Sequence, residues 1–380
     1  PGLHAYAQKS IAAGGEIAFR VSSSVPYALS VVRLGEDPES REDDPVLKTI
    51  RVEEPRTQPI HPGSYVHVAT GLPAERRLTG LTLEGWIRPF SLGGWQGLIT
   101  QHDYPERSGI GLFLSEGKIA FLTGSGGIFD PATLHQTEPG LIKARQWHHV
   151  AASWDGKLKR IYVDGVLASE IPFHGVVRPA KTALRLGAYG SGGLASNFYT
   201  GDLAMCAVYD RALQLEEVRE RLSDRGLTAP QGPHLLSCWT FAEERGTKVA
   251  DGGPGGRHGR IINRGTWMIG GPSFEAASVG RHDVNYDPTR DPVRGHALRL
   301  AADELYNARW EISHRIAIPE DAKSVVYAGR FDFEEDGKAK RCRVCFGGLL
   351  ECEACDGKVR RKCKACRGGT THKPCPACRG

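Results

Sequence analysis

Two Asp-Gly dipeptides, Asp155-Gly156 and Asp164-Gly165, constrain this chain more than any other feature. They cut the stretch 147–171 into three segments: Trp-His-His-Val-Ala-Ala-Ser-Trp (147–154), Leu-Lys-Arg-Ile-Tyr-Val (158–163) and Val-Leu-Ala-Ser-Glu-Ile (166–171). Asp-Gly between alternating segments is the strongest short hairpin signal, because Gly accepts positive φ at little steric cost. The spacing predicts a three-strand antiparallel meander.

The surroundings extend this β pattern. Residues 81–88 place Leu81, Leu83, Gly85 and Ile87 on one strand face, and 201–209 alternate again. A short amphipathic helix is predicted over 214–222, with Glu216 and Glu217 near its start and Arg219 and Arg221 near its end, as the helix dipole favours. Residues 234–270 add a strand and a glycine-rich turn. Further strands are predicted at 16–21, 27–34, 309–318 and 324–331, while 35–45 and the proline-bearing stretch 283–300 read as loops. The first strands resemble the opening half of an immunoglobulin-like sandwich. Residues 324–331 are expected to pack with 1–60, leaving the central region inserted between the two halves.

The length of 380 residues suits two or three domains, and 47 glycines against two methionines favour turn-rich β architecture. The expected division is 1–60, 61–275, 283–337 and a tail over 338–380. No run of eighteen apolar residues offers a transmembrane helix, and the first residues lack the pattern of a signal peptide. No membrane partner is expected.

The tail is a separate chemical object. It holds eight of the ten cysteines as four Cys-x-x-Cys pairs, Cys342/Cys345, Cys352/Cys355, Cys363/Cys366 and Cys375/Cys378, each followed two residues later by Gly. Paired thiolates at this spacing suit tetrahedral zinc, and eight ligands suffice for two ions. Rubredoxin-like iron is the rival metal. The tail has too few large apolar groups to bury a core, so metal would supply its folding energy. Clustered rather than scattered cysteines favour a reducing compartment, and a cytoplasmic location is expected. Twelve Lys/Arg against three Asp/Glu give the tail a balance of +9, leaving about −4 for the rest of the chain. The excess either compensates thiolate–zinc charge or attracts an anionic partner such as nucleic acid.

Other chemistry is sparse. His148 and His149 are adjacent on a strand and face opposite ways, so they cannot share one ion. Glu84 is alone on its strand, without the paired carboxylates of glycoside hydrolysis. No G-x-S-x-G elbow or phosphate-binding loop is found. The aromatic residues Trp86, Trp95, Tyr104, Trp147, Trp154 and Tyr189 could stack on sugars, but most are expected in the core.

Three resemblances add to this reading. The W-x-x-V-A-x-x-x-D-G run from Trp147, Y-V-D-G from Tyr162 and G-D-L…V-Y-D-R-A-L-Q-L-E-E-V from Gly201 resemble the laminin-G/concanavalin-A-like jelly roll. That resemblance implies a rim where Asp155, Asp164 and Asp202 could hold calcium. The P-I-H-P-G-S-Y-V-H-V entry (59–68), the jelly roll and the exit W-x-I…I-P-E-D-A-K-S-V-V-Y-A-G-R-F-D-F from Trp310 resemble, over roughly 1–337, the N-terminal half of N,N-dimethylformamidase large subunits. That family hydrolyses small formamides at a mononuclear iron held by a further C-terminal domain. The cysteine tail stands in the place of that domain, so no catalytic residue is carried over. The Cys-x-x-Cys-x-Gly repeats resemble the zinc region of DnaJ-type cochaperones. This implies one zinc on Cys342, Cys345, Cys375 and Cys378 and a second on Cys352, Cys355, Cys363 and Cys366. Because the family's G-x-G after each pair is missing, pairing of neighbouring motifs stays open.

The fold expected is therefore mainly β: a concanavalin-A/laminin-G-like jelly roll inserted in an immunoglobulin-like strand set, plus a small zinc-stabilised C-terminal module. The expected function is a non-catalytic accessory region of a dimethylformamidase-like amidohydrolase large subunit, with a small subunit or a second copy as partner. The alternatives are a lectin-like protein binding glycan at the jelly-roll rim, and a zinc scaffold whose tail binds unfolded protein or nucleic acid.

Overall fold

A computed structural model describes residues 2–8, 10–35, 44–126, 130–275, 279, 287–335 and 338–344. The architecture is mainly β, with a single α-helix, Leu215–Asp224, among the described residues. The chain divides into two compact units, His61–Ala308 and the pair of segments Pro1–Ile60 and Arg309–Gly380.

The central unit is a sandwich of two sheets. The first runs in the order Leu134–Gln136, Lys118–Ser125, Ser108–Ser115, Trp95–Asp103, Leu184–Leu186, Tyr65–Val68, Gly259–Ile262 and Lys248–Val249. The second runs Val166–Pro172, Leu158–Val163, His148–Trp154, Leu81–Pro89, Gly201–Tyr209, Ala297–Leu300 and Thr266–Met268, with Leu235–Trp239 also paired to Gly201–Tyr209. Alternation decides what enters the space between them. Leu81, Leu83 and Ile87 meet Ile110, Leu112 and Leu114 there, with Val150, Ala152 and Trp154. Each such side chain, fully buried, contributes roughly 1.5–3 kcal/mol.

The meander is present: Val150 pairs with Val163, Trp154 with Lys159, and Val163 with Val166. At its second turn Asp164 and Gly165 both take positive φ (48° and 73°), the conformation that favours Asp-Gly. Strand Gly201–Tyr209 breaks its alternation at a bulge between Ala204 and Ala207, where Met205 has φ 45°. Leu203, Cys206 and Val208 therefore face the inter-sheet core, while Ala204, Met205, Ala207 and Tyr209 face outward. That outer face is covered by the helix through Val218. A capping box between Gln214 and Glu217 starts the helix, and Arg225 in the left-handed region (φ 53°) ends it, two residues beyond the predicted stop.

One loop expectation is corrected. Ala297–Leu300 is a strand, with Gly201 opposite Leu300 and Leu203 opposite Leu298. Pro288 and Pro292 precede it, so they do not interrupt its hydrogen bonding.

The other unit takes strands from both ends of the chain. Leu3–Ala7, Glu16–Ser23 and His314–Ala317 form one sheet. Lys338–Val344, Tyr327–Glu335, Tyr27–Arg33 and Val46–Val52 form the other. Their shared core holds Phe19, Val21, Leu29, Val31, Ile316 and Phe331, and the Tyr27 hydroxyl lies 2.7 Å from His314 Nε2. The strand predicted at 324–331 begins at Tyr327 and runs to Glu335. Residues 338–344, expected to open the tail, are a strand antiparallel to it, with Cys342 opposite Phe331.

Candidate functional site

A cavity of about 760 Å³ opens on the outward face of the first sheet. Because Ile110, Leu112 and Leu114 turn to the core, Gly109, Gly111 and Phe113 face out. On the next strand Ile119 and Phe121 turn in, leaving Leu122 and Gly124 outward. The glycines are required: a Cβ on Gly111 would approach the Phe113 ring to 2.4 Å, and one on Gly124 the Arg107 carbonyl to 2.4 Å. The walls are aromatic. Trp95 meets Phe113 edge-on at 5.4 Å between centroids, and Phe113 meets Tyr189 at 5.3 Å. Trp95 is 36% exposed and Tyr104 70% exposed, so both present ring surface to solvent.

Polar groups are few but placed. His102 Nδ1 and the Tyr189 hydroxyl are 3.0 Å apart. Burial lowers the His102 pKa to about 4, against the pull of Asp103, so the ring is neutral at pH 7. Arg107 and Asp130 also line the opening. An apolar, ring-walled cleft with a small number of polar groups is the usual form of a small-molecule site. Ring faces of this kind suit a flat or cyclic ligand.

The cavity wall at Asp130, Thr133 and Leu134 is tied from inside the sandwich. Lys159 is fully buried, and its Nζ donates to the carbonyls of Thr133 (2.6 Å) and Ala132 (3.1 Å). The ammonium also sits 4.6 Å from the Phe173 ring centroid and 5.0 Å from that of Phe121. Burial lowers its pKa to about 7, with Asp130 acting in the opposite direction.

The residues singled out in the sequence lie elsewhere and apart. Asp155 Oδ1 accepts the amides of Lys157 and Leu158, and its Oδ2 pairs with Arg160. Asp164 accepts from the His149 amide and pairs with His148 Nδ1 at 2.7 Å. Asp202 is fully buried between Arg88 and Arg299. Each carboxylate is thus engaged by its own protein donors. Among the described residues no group of three or more His, Cys, Asp or Glu side chains is arranged to hold a metal ion. His148 and His149 do face opposite ways, His149 lying 3.3 Å from buried Glu84. That carboxylate also accepts from the Tyr209 hydroxyl at 2.5 Å. Of the eight tail cysteines, Cys342 lies on strand Lys338–Val344 and the other seven fall outside the described residues.

Of the six aromatic residues considered for stacking, Trp86 and Trp154 are core and Trp147 lies beneath the Arg88 guanidinium at 4.9 Å. Trp95, Tyr104 and Tyr189 line the cavity. Sequence reasoning missed Phe113 and Lys159. For Lys159 a signal existed: Ile161 and Val163 set the inward face, and a period of two puts position 159 on it.

Fold and cavity together define a two-sheet β-sandwich with an aromatic pocket on one sheet. A family model described as the concanavalin A-like lectin/glucanases superfamily, of laminin-G type, matches residues 58–219. The N,N-dimethylformamidase beta subunit of Alcaligenes sp is 24% identical over 307 residues, covering 72% of this chain and 38% of that protein. The chain therefore spans well under half the length of this relative. Among solved structures, a putative carbohydrate binding protein from Bacteroides ovatus is 13% identical with a TM-score of 0.42, over 66% of this chain and 68% of that one. The heptameric SAP-like pentraxin of Limulus polyphemus is 16% identical with a TM-score of 0.35, over 53% of this chain and 94% of that one.

Proposed function

We propose that this chain is a β-rich, non-catalytic accessory region of the large subunit of an N,N-dimethylformamidase-like amidohydrolase. One observation carries the proposal. The match to the Alcaligenes subunit covers 72% of the chain, more than the sandwich unit His61–Ala308 can supply, so it reaches into the flanking strands. Laminin-G-like sandwiches occur in many settings, whereas a sandwich inserted between the halves of a second strand set narrows the choice. In this reading the region supports assembly with a small subunit or a second copy, and the hydrolytic iron belongs to another part of the enzyme. The purified chain is expected to release no dimethylamine from N,N-dimethylformamide. Release that scales with chain concentration would refute the non-catalytic role.

The aromatic cavity favours a second reading, a ligand-binding sandwich of lectin-like character. Saturable binding of a cyclic ligand to the full chain, lost in Trp95→Ala, would support it.

For the tail we propose two zinc ions on Cys342, Cys345, Cys352, Cys355, Cys363, Cys366, Cys375 and Cys378. The support is the spacing alone. Native mass spectrometry of the purified chain is expected to find two zinc per polypeptide, and a metal-free chain would count against it.

A further inference from the structure

Beside the aromatic cavity, the same sheet face carries a buried charge with unspent donors. Arg185 is 2% exposed. Its neighbours Leu184 and Leu186 belong to the inter-sheet core, so alternation sends Arg185 to the outward face, beside its register partners Thr100 and His67. The hairpin of Tyr189–Ser191 and Leu194–Ser196 lies over it. Arg185 Nη2 donates to the Gly193 carbonyl at 2.9 Å, and a Cβ on Gly190 would come within 2.3 Å of Nη1. Nε and Nη1 are buried with no hydrogen-bond partner, and so is His67 Nδ1. Asp103 attracts the guanidinium through space, but its Oδ1 accepts from the Gly192 amide at 3.1 Å. The Tyr65 hydroxyl is a hydrogen-bond partner of the guanidinium.

A buried charge is stable only when it is paired and its donors are met. Here the Tyr65 hydroxyl is the guanidinium's side-chain partner, no carboxylate lies within ion-pair distance of it among the described residues, and the His67 imidazole nitrogen beside it is unmet. The covering hairpin pairs with itself alone. At its tip, Gly192 and Gly193 adopt φ 56° and 84°, and a Cβ at either would have nothing within 4 Å. Among the described residues no main-sheet strand is hydrogen-bonded in a ladder to the hairpin, which is held to the first sheet by side-chain contacts, Tyr189 to His102 and Phe113 and the Gly192 amide to Asp103. Its first residue, Tyr189, is also a wall of the aromatic cavity.

We propose that Arg185, flanked by His67 and Tyr65, receives the carboxylate of a cyclic organic acid whose ring occupies the aromatic cavity, with the 189–196 hairpin as the movable roof over both. This inference rests on the ligand-binding reading of the cavity and specifies its ligand class. The carboxylate supplies the anionic acceptor that the Gly193 carbonyl and the Tyr65 hydroxyl do not. The Trp95, Phe113 and Tyr189 rings supply the apolar contact.

The test is calorimetric titration of the full chain with two acids, benzoate and glucuronate, against their uncharged counterparts, benzyl alcohol and glucose. The two acids distinguish an aromatic from a sugar ring. At least one acid is expected to bind about tenfold or more tighter than its counterpart, the worth of a charge-assisted hydrogen bond. Arg185→Met is expected to erase that preference and Arg107→Ala to keep it. Equal binding of acid and neutral ring by the native chain overturns the inference while leaving the ligand-binding reading intact. A preference that survives Arg185→Met and falls in Arg107→Ala also overturns it, placing the charge at the cavity mouth. If none of the four compounds binds, both the inference and the ligand-binding reading fall. Should Arg185→Met not fold, the comparison of acid with neutral ring on the native chain, together with Arg107→Ala, still decides.

Discussion

Lys159 Nζ donates a hydrogen bond to the Thr133 carbonyl at 2.6 Å, tying a strand of the second sheet to the 3-10 turn beside the first. Burial sets its pKa near 7 in the fold, against an ordinary value of 10.5. Between those values the unfolded chain holds a proton that the folded chain has lost, so this group makes stability rise with pH, by up to about 1.4 kcal/mol per unit. Denaturant midpoints of the native chain and Lys159→Met, compared near pH 7 and near pH 9.5, are expected to show the larger gain in the native chain. Equal gains would show that Lys159 stays charged in the fold.

His102 and His135 act in the acid range. Burial lowers both pKa values to about 4, with Lys159 adding to the effect at His135. Their neutral forms stabilise the fold fully above pH 6.5, and that contribution drains away as pH falls through the window from about 6.5 to about 4. Replacing both by Gln is expected to flatten the fall in melting temperature between about pH 7 and about pH 5. An unchanged slope would place acid sensitivity elsewhere.

The Tyr209 hydroxyl donates to Glu84 Oε1 at 2.5 Å under the helix. Glu84 Oε2 lies 3.3 Å from His149 Nε2 without a well-aligned hydrogen bond, so the Tyr209 hydroxyl is the best donor this carboxylate has. Tyr209→Phe is expected to cost about 1–3 kcal/mol of unfolding free energy, the penalty for stranding a buried polar group. A loss below about 0.5 kcal/mol, as for an ordinary surface change, would mean that Glu84 finds another donor.

Tyr104 offers the opposite contrast. It is 70% exposed at the cavity rim. Tyr104→Ala is expected to leave stability within about 0.5 kcal/mol and to weaken binding of any cyclic ligand found by titration. Unchanged affinity would remove Tyr104 from the site.

The meander was readable in the sequence because two Asp-Gly turns bracket alternating segments, and turn chemistry acts over a few residues. The inward face of 81–88 was readable for the same local reason. Ala297–Leu300 was not, because four residues become a strand only by pairing with Gly201–Leu203, almost a hundred positions away. The cavity was half legible. Trp95, Tyr104 and Tyr189 were among the aromatic residues considered, but nothing local separated them from Trp86 and Trp154, which went to the core. Which face a ring takes depends on strand parity and on what covers it. Arg185 lies between two leucines, as ordinary alternation allows, and only the hairpin folded above it makes its charge unusual.

The central claim is that this sandwich and its flanking strands form an accessory region of a formamidase-like large subunit. The most direct measurement replaces the matched segment of the Alcaligenes beta subunit with residues 1–335 of this chain and assays assembly and dimethylamine release together. The account predicts an assembled complex that hydrolyses N,N-dimethylformamide at a rate within about tenfold of the parent, a loss of no more than about 1.4 kcal/mol in transition-state stabilisation. A complex that assembles but has lost all turnover would contradict it, because the segment would then have carried part of the chemistry.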